Sequence, residues 1–413
     1  NGYKVDEVTS GFTYQATVGG NINILSITAD NTMVGASTNY NFQMSFQSAL
    51  TSTGGILIQF PTGFSVAATC ALLSKSANMD GASTTCTTNT ATRTIYLSGI
   101  FATGLASLQT ITFKVQGITN QHTTAPSLPL YIATLINSAD PTSVVDENNA
   151  YIITFLTPGT LSTTYMSVTP DTSITSDQSV YTFKFRNTNN LPAGGSIRVR
   201  IPKDVLSFPL PASTEGSLDP MTLSPSASAS IDTTTSTTYN IIIITNAFDS
   251  AITTPTDFSF SLDFIDNPPT TMPQPVITFE TYDNLGFLVD RSSPGVSLQI
   301  SQPHSFNYVH LEPETLENGK TGAYTITITF KYPHYNDDII RIDFPATTKL
   351  EAPSVTIAGG TSGGINVGNP TRVLNSVEIP LVLTSPAPAS STLVVTLSSI
   401  TNKVYSSPLG SFT

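Results

Sequence analysis

Apolar residues take every second position in three widely separated stretches. They are Tyr40, Phe42, Met44 and Phe46; Tyr181, Phe183 and Phe185; and Tyr324, Ile326, Ile328 and Phe330. A period of two predicts strands with one buried face. One strand later, each stretch is followed by a run closing on an apolar residue and proline: ILIQFP at 56–61, IRVRIP at 197–202 and IRIDFP at 340–345. The residue before the proline falls at 60, 201 and 344, spacings of 141 and 143. Further on come ITFKVQGITN (111–120), FSFSLDFIDN (258–267) and LVVTLSSITN (393–402), with the closing isoleucine at Ile118, Ile265 and Ile400. The openings ILSITAD (24–30), YMSVTPD (165–171) and YVHLEPE (308–314) keep the same frame.

Alternating strands separated by Gly, Pro, Asn and Ser turns predict an all-β chain of tandem β-sandwich modules with a period of about 141–143 residues. No stretch has helical periodicity. The copies differ in mid-module, around 66–92, 207–238 and 350–372, as surface loops do. The ends of the chain are out of frame with the modules. Val5-Asp6 matches Val145-Asp146 and Val289-Asp290, each just before a closing strand. The expected division is therefore 1–23, the last strand of a preceding module; 24–164; 165–307; and 308–413, a third module without its last strand. Short junctions, Ser167 to Asp171 and Val309 to Glu314, are expected to limit flexing.

Two arrangements fit that frame. The chain is a window of a longer covalent array, or separate subunits donate a strand. In the second, the alternating face Phe12, Tyr14, Ala16 and Val18 completes the third module of a neighbour. A head-to-tail contact of this kind does not close on itself, so it builds linear polymers.

The modules resemble immunoglobulin-like repeats of extracellular fibre, adhesin and surface-coat proteins, in their alternating strands, Phe/Ile-Pro strand ends and Val-Asp before each closing strand. The Ser/Thr-rich style, with turns such as TYDNLGFLVD (281–290), is similar to repetitive surface proteins of protists. The Cys…Trp…Cys pattern of antibody-type domains is missing, because the chain has no Trp. The resemblance implies immunoglobulin-like sandwiches doing mechanical, adhesive or coating work.

Composition narrows the function further. The chain has 413 residues, enough for several domains, and only 11% are charged. Its formal net charge of −12 argues against nucleic acid and anionic membranes, both of which need clustered cations. No apolar run approaches a membrane span; Ile241 to Ile244 is a strand core. Ser/Thr-rich loops at 83–94 and 222–238 are candidate O-glycan carriers, and no Asn stands in an N-glycan acceptor triplet. Together these features predict a secreted or cell-surface protein.

Few residues suggest chemistry. Cys70 and Cys86 share one loop and are either a disulfide or two inert thiols. Acidic residues recur at module ends, making Asp146, Asp171, Asp290 and Glu314 candidate calcium ligands; the competing reading is that they are turn residues. Gly360-Thr361-Ser362-Gly363-Gly364 has the G-x-S-x-G spacing of serine hydrolases, but it sits in a glycine-rich loop with no helix after it. The histidines, His122, His304, His310 and His334, lack zinc spacing. No cofactor and no enzyme is expected. The function expected is a structural subunit of an extracellular filament, sheath or coat that self-associates linearly. The alternative is an adhesin binding carbohydrate or protein through its mid-module loops.

Overall fold

The computed structural model describes residues 20–203, 218–253, 255–268, 271, 276–334, 336–345, 348–350, 355–357, 365–384 and 387–402. Nearly everything described is strand or turn; the exception is a single 3-10 turn, Thr163–Tyr165. Three separate cores form, in 22–156, 161–300 and 324–400. The described residues form two compact units, one within 20–173, 178–268 and 276–300, the other within 174–177, 271 and 301–402.

In the first unit, the main strands of the first module are β1 (Gly20–Ala29), β2 (Ser37–Phe46), β3 (Gly55–Gln59), β4 (Thr94–Ser98), β5 (Thr110–Thr119), β6 (Leu130–Leu135) and β7 (Val144–Tyr151). One layer runs β1–β2–β5, all antiparallel. The facing layer runs β7–β6–β3–β4. The strand β1 belongs to both. Gly20 and Asn21 pair in parallel with Asp146 and Glu147 of β7, and from Ile22 onward the strand pairs with β2. The change of layer falls between Asn21 and Ile22, and a bulge between Ile24 and Ser26 then shifts the register against β2. The alternating side chains of β2, Tyr40, Phe42, Met44 and Phe46, are fully buried, and Phe42 stacks on Phe113 at 5.1 Å between ring centroids.

The second module repeats the plan with β8 (Gly159–Leu161), β9 (Ser167–Pro170), β10 (Gln178–Arg186), β11 (Ser196–Pro202), β12 (Tyr239–Thr245), β13 (Asp257–Asp266), β14 (Val276–Tyr282) and β15 (Leu288–Ser292). Its layers are β9–β10–β13 and β8–β15–β14–β11–β12. Phe183 stacks on Phe260 at 5.0 Å, in the place of the Phe42–Phe113 pair. Here the first strand is broken into β8 and β9 by the 3-10 turn.

In the second unit, β16 (Tyr308–Pro313), β17 (Thr321–Thr329) and β20 (Thr392–Thr401) form one layer, and β18 (Ile339–Asp343) pairs with β19 (Ser376–Val382) in the other. The layered, antiparallel pairing, repeated in register, makes the chain a set of tandem immunoglobulin-like β-sandwich modules.

Strand pairing moves the module starts earlier than the alternating pattern suggested. Residues 20–23 pair within the first module, and 159–161 pair with β15 of the second, where Leu161 joins the second core. A short parallel strand of two or three residues carries no period-two signal. The segments expected as junctions, Ser167 to Asp171 and Val309 to Glu314, contain the opening strands β9 and β16 instead. Within the first unit the passage between modules is pinned: Thr157 N–H donates to Thr32 O and Val34 N–H to Thr157 O, both at 2.8 Å. Thr123 Oγ1 also donates to Asp283 Oδ2 at 2.8 Å and Thr124 N–H to Leu288 O at 3.0 Å, seating the first module on the second.

A buried clasp recurs once per module. Tyr40 donates its hydroxyl to Asn120 Oδ1 at 2.6 Å, Tyr181 to Asn267 Oδ1 at 2.6 Å, and Tyr324 to Asn402 Oδ1. Each asparagine Nδ2 then donates to carbonyls of the loop after the opening strand: Asn31 and Met33, Thr172, and Thr315 and Glu317. Burial pushes all three tyrosine hydroxyls above the ordinary phenol range, so they remain donors. Tyr181→Phe would strand a buried carbonyl oxygen and is expected to destabilise the second module by about 1–3 kcal/mol in urea unfolding. A neutral result would mean the clasp adds nothing.

Candidate assembly site

A closing strand must bury its apolar face and still fit against the opening strand beside it. In the first and second modules an aspartate does the fixing. Asp146 on β7 is fully buried; its Oδ2 accepts Ser48 N–H and its Oδ1 accepts Ser48 Oγ, both at 2.8 Å. Asp290 on β15 is also fully buried. Its Oδ2 accepts Thr188 N–H and Asn189 N–H at 3.1 Å, and its Oδ1 accepts Asn189 Nδ2 at 2.6 Å. The amides of Asp146 and Asp290 donate to Thr134 Oγ1 and Thr281 Oγ1 on the neighbouring strand. Each carboxylate thus ties the closing strand to the loop after the second strand, β2 or β10.

A glycine covers each carboxylate. A Cβ on Gly20 would lie 2.0 Å from Asp146 Oδ1, and one on Gly159 would lie 2.3 Å from Asp290 Oδ1. These are the two positions where opening and closing strands run parallel. Any side chain there would push the strands apart or displace the aspartate. The pairs Val145-Asp146 and Val289-Asp290 are therefore the closing-strand latch, whereas Val5-Asp6 lies outside the described residues.

The four residues expected as calcium candidates lie in four places. Asp146 and Asp290 give their oxygens to amide and hydroxyl donors as described. Asp171 is exposed and accepts Ser179 Oγ at 2.6 Å and Val180 N–H at 3.0 Å; the Ser179 hydrogen bond holds its carboxyl below the usual range. Glu314 accepts Ala323 N–H at 2.9 Å. The opening acids also mark a repeated backbone bond, from Asp30 N–H to Asn39 O, Asp171 N–H to Val180 O and Glu314 N–H to Ala323 O. Among the described residues, no three His, Cys, Asp or Glu side chains come together as a metal group.

Cys70 and Cys86 are joined as a disulfide with Cα atoms 5.6 Å apart. Cys86 lies on the strand Thr85–Asn89, which extends the β3–β4 layer, and Cys70 precedes Leu72–Lys75, which extends β5, so the bond links the two layers. Of the histidines, His122 contacts Asn190 and His304 contacts Asp177, whereas His310 stacks beside Tyr308. The assembly strand Phe12, Tyr14, Ala16 and Val18, the tail 403–413 and the loop holding Ser362 lie outside the described residues.

The β18 edge differs from its counterparts. In the first and second modules β3 and β11 are held on both sides, by β6 and β4 and by β14 and β12. Among the described residues β18 pairs with β19 alone. Its inward residues Ile340, Ile342 and Phe344 are 4%, 8% and 5% exposed, against at most 1% for Ile56, Ile58, Phe60, Ile197, Val199 and Ile201. An edge strand beside a slightly open core is a template for a further strand.

No protein-family model matches the chain, and no curated protein does. Among solved structures, it is similar to the C-terminal domain of the Streptococcus pyogenes antigen I/II-family protein AspA. That match has 7% identity and a TM-score of 0.25, over 70% of this chain and all of that one. It is also similar to a putative membrane anchored protein from Corynebacterium diphtheriae (9% identity, TM-score 0.19, 94% of this chain and 88% of that one). A third is the Enterococcus faecalis MSCRAMM ACE (9% identity, TM-score 0.17, 58% of this chain and 82% of that one). The fold assignment rests on the strand pairing above. No helix among the described residues is long and apolar enough to cross a membrane.

Proposed function

We propose that this chain is a structural component of an extracellular filament, sheath or surface coat, extended head to tail by completing the β18 sheet. The observation that carries this reading is the latch. Two modules close with a Val-Asp strand whose carboxylate is buried, Val5-Asp6 repeats that signature in the sequence, and among the described residues β18 of the third module is paired on one side only. The completing strand comes either from the next module of a covalent array or from residues 1–19 of a neighbouring copy, since Gly20, Asn21 and Ile22 pair within their own first module. Phe12, Tyr14, Ala16 and Val18 supply its alternating apolar face. Both routes give a linear object. An adhesive role is favoured by one feature, an arginine-rich face on the second module.

A labelled synthetic peptide of residues 1–19 separates the two routes. Strand donation predicts that it binds the chain and blocks end-to-end association, and that the Asp6→Arg peptide does neither, because a cation cannot accept the amides. Absence of binding by the unmodified peptide would contradict donation and leave the covalent array.

A further inference from the structure

The outward face of the β8–β15–β14–β11–β12 layer gathers three arginines around one carboxylate. Arg198 on β11 stands opposite Glu280 on β14, and Glu280 stands opposite Arg291 on β15. Glu280 is 1% exposed; its Oε2 accepts Arg200 Nε at 2.9 Å and the Tyr282 hydroxyl at 2.6 Å, and its Oε1 accepts Arg291 Nε at 2.8 Å. Burial pushes this carboxyl up, but the Tyr282 hydroxyl and the two arginines outweigh it and hold the group below the usual range. Glu280 is therefore ionised and already satisfied. Arg198 is surplus to it: the guanidinium lies over the Tyr282 ring, 4.2 Å from the centroid, and its buried Nε has no hydrogen-bond partner.

The sandwich itself does not require this arrangement. In the first module the register places Leu57 opposite Ala133 and Ala133 opposite Glu147, and Leu57, Ala133 and Leu135 form a small apolar cluster. In the third, Arg341 takes the Arg198 position but is paired with Asp343 at 2.8 Å and Glu378 at 3.8 Å. Among the described residues, only the second module leaves cations in excess at this place, within a chain of net charge −12. Unmatched guanidinium groups repel one another, and a packed sheet face gains nothing from them.

Guanidinium forks fit carboxylate and sulfate groups. Arg198 and Arg200 lie two residues apart on one strand, about 7 Å, and Arg291 is two strands from Arg198, about 10 Å. Arg200 and Arg291 are already engaged by the Glu280 carboxylate, so Arg198 is the guanidinium that takes an external anionic group, and the other two add positive charge alongside it for the further anionic groups of a polymer. Toward the other edge the face offers the Tyr239 ring, 6.0 Å from the Arg200 guanidinium, and the exposed hydroxyls of Ser228, Ser230 and Thr245. Hydroxyls and a ring face suit sugar units, and Ile241 and Ile243, opposite Arg200 and Arg198, add apolar surface between the arginines and the hydroxyls. We infer that this face of the second module binds an acidic polysaccharide, one whose sugars carry carboxylate or sulfate groups. Such binding would fix a coat or fibre to an anionic matrix, a role separate from head-to-tail extension.

The test uses the full chain over immobilised polygalacturonate and dextran sulfate, with uncharged dextran as blank. Binding to at least one anionic polymer is expected, weakening as salt rises. Arg198→Gln is expected to lower affinity about tenfold or more, since one charge-assisted hydrogen bond is at stake, and to leave thermal melting unchanged. Arg341→Gln, at the equivalent position of the third module, should bind as the unmodified chain does. Equal binding by Arg198→Gln, or binding to neither anionic polymer, would overturn the inference. Loss of salt-sensitive self-association in Arg198→Gln without any polymer binding would also overturn it, by assigning the face to a second copy.

Discussion

Replacing Asp290 by alanine is expected to destabilise the second module by about 3–5 kcal/mol, enough to unfold a marginal domain at physiological temperature. The loss has two parts. The buried Asn189 N–H and Asn189 Nδ2 lose their acceptor, as does the part-buried Thr188 N–H. Each buried donor left unpaired costs about 1–3 kcal/mol, with some relief as the loop relaxes. The closing strand β15 also loses its tie to the β10–β11 loop, so its parallel pairing with β8 is held by short contacts alone. Urea unfolding followed by circular dichroism measures the effect. Asp290→Asn keeps one acceptor oxygen but adds donors facing donors, and is expected to recover less than half the loss. A change below about 1 kcal/mol for Asp290→Ala would show that the carboxylate is not what holds the strand.

Phe183→Ala is expected to cost a similar 3–5 kcal/mol for a different reason. The ring is fully buried, stacked on Phe260 at 5.0 Å and edge-on to Phe279 at 6.3 Å, so it touches both layers. Removing it deletes apolar contact and leaves a cavity that the strands cannot close without losing register. Phe183→Leu retains much of the volume and should cost less than half as much. The first module has its own core around Phe42 and Phe113. A loss confined to one of two unfolding transitions would therefore place the effect in the second module. Equal costs for the alanine and leucine variants would argue against a cavity.

Much of this architecture was legible because it depends on local alternation. Tyr181, Phe183 and Phe185 read as one buried face from the sequence, and they are one. The features that escaped depend on register between strands. Asp146 and Asp290 recur visibly before each closing strand, and a recurring acid beside turns reads as readily as a calcium ligand. Their burial under Gly20 and Gly159 emerges only once the opening strand is seen to run parallel to the closing one. The clasp of Tyr40 with Asn120 left a readable trace, since tyrosine and asparagine recur in frame at 181 and 267 and at 324 and 402. The Arg198, Glu280 and Arg291 set left none, because its members are 82 and 11 residues apart and belong to one module only. The Cys70–Cys86 pair needed no register, as both residues lie in one mid-module segment.

The most direct test of head-to-tail extension is negative-stain electron microscopy of the native material together with its intact mass under denaturing conditions. Long linear particles are predicted. If they denature to chains of 43.7 kDa, each copy donates a strand to the next; if they stay several-fold heavier, the extension is covalent. Dispersed single particles at the smaller mass would contradict linear extension by either route.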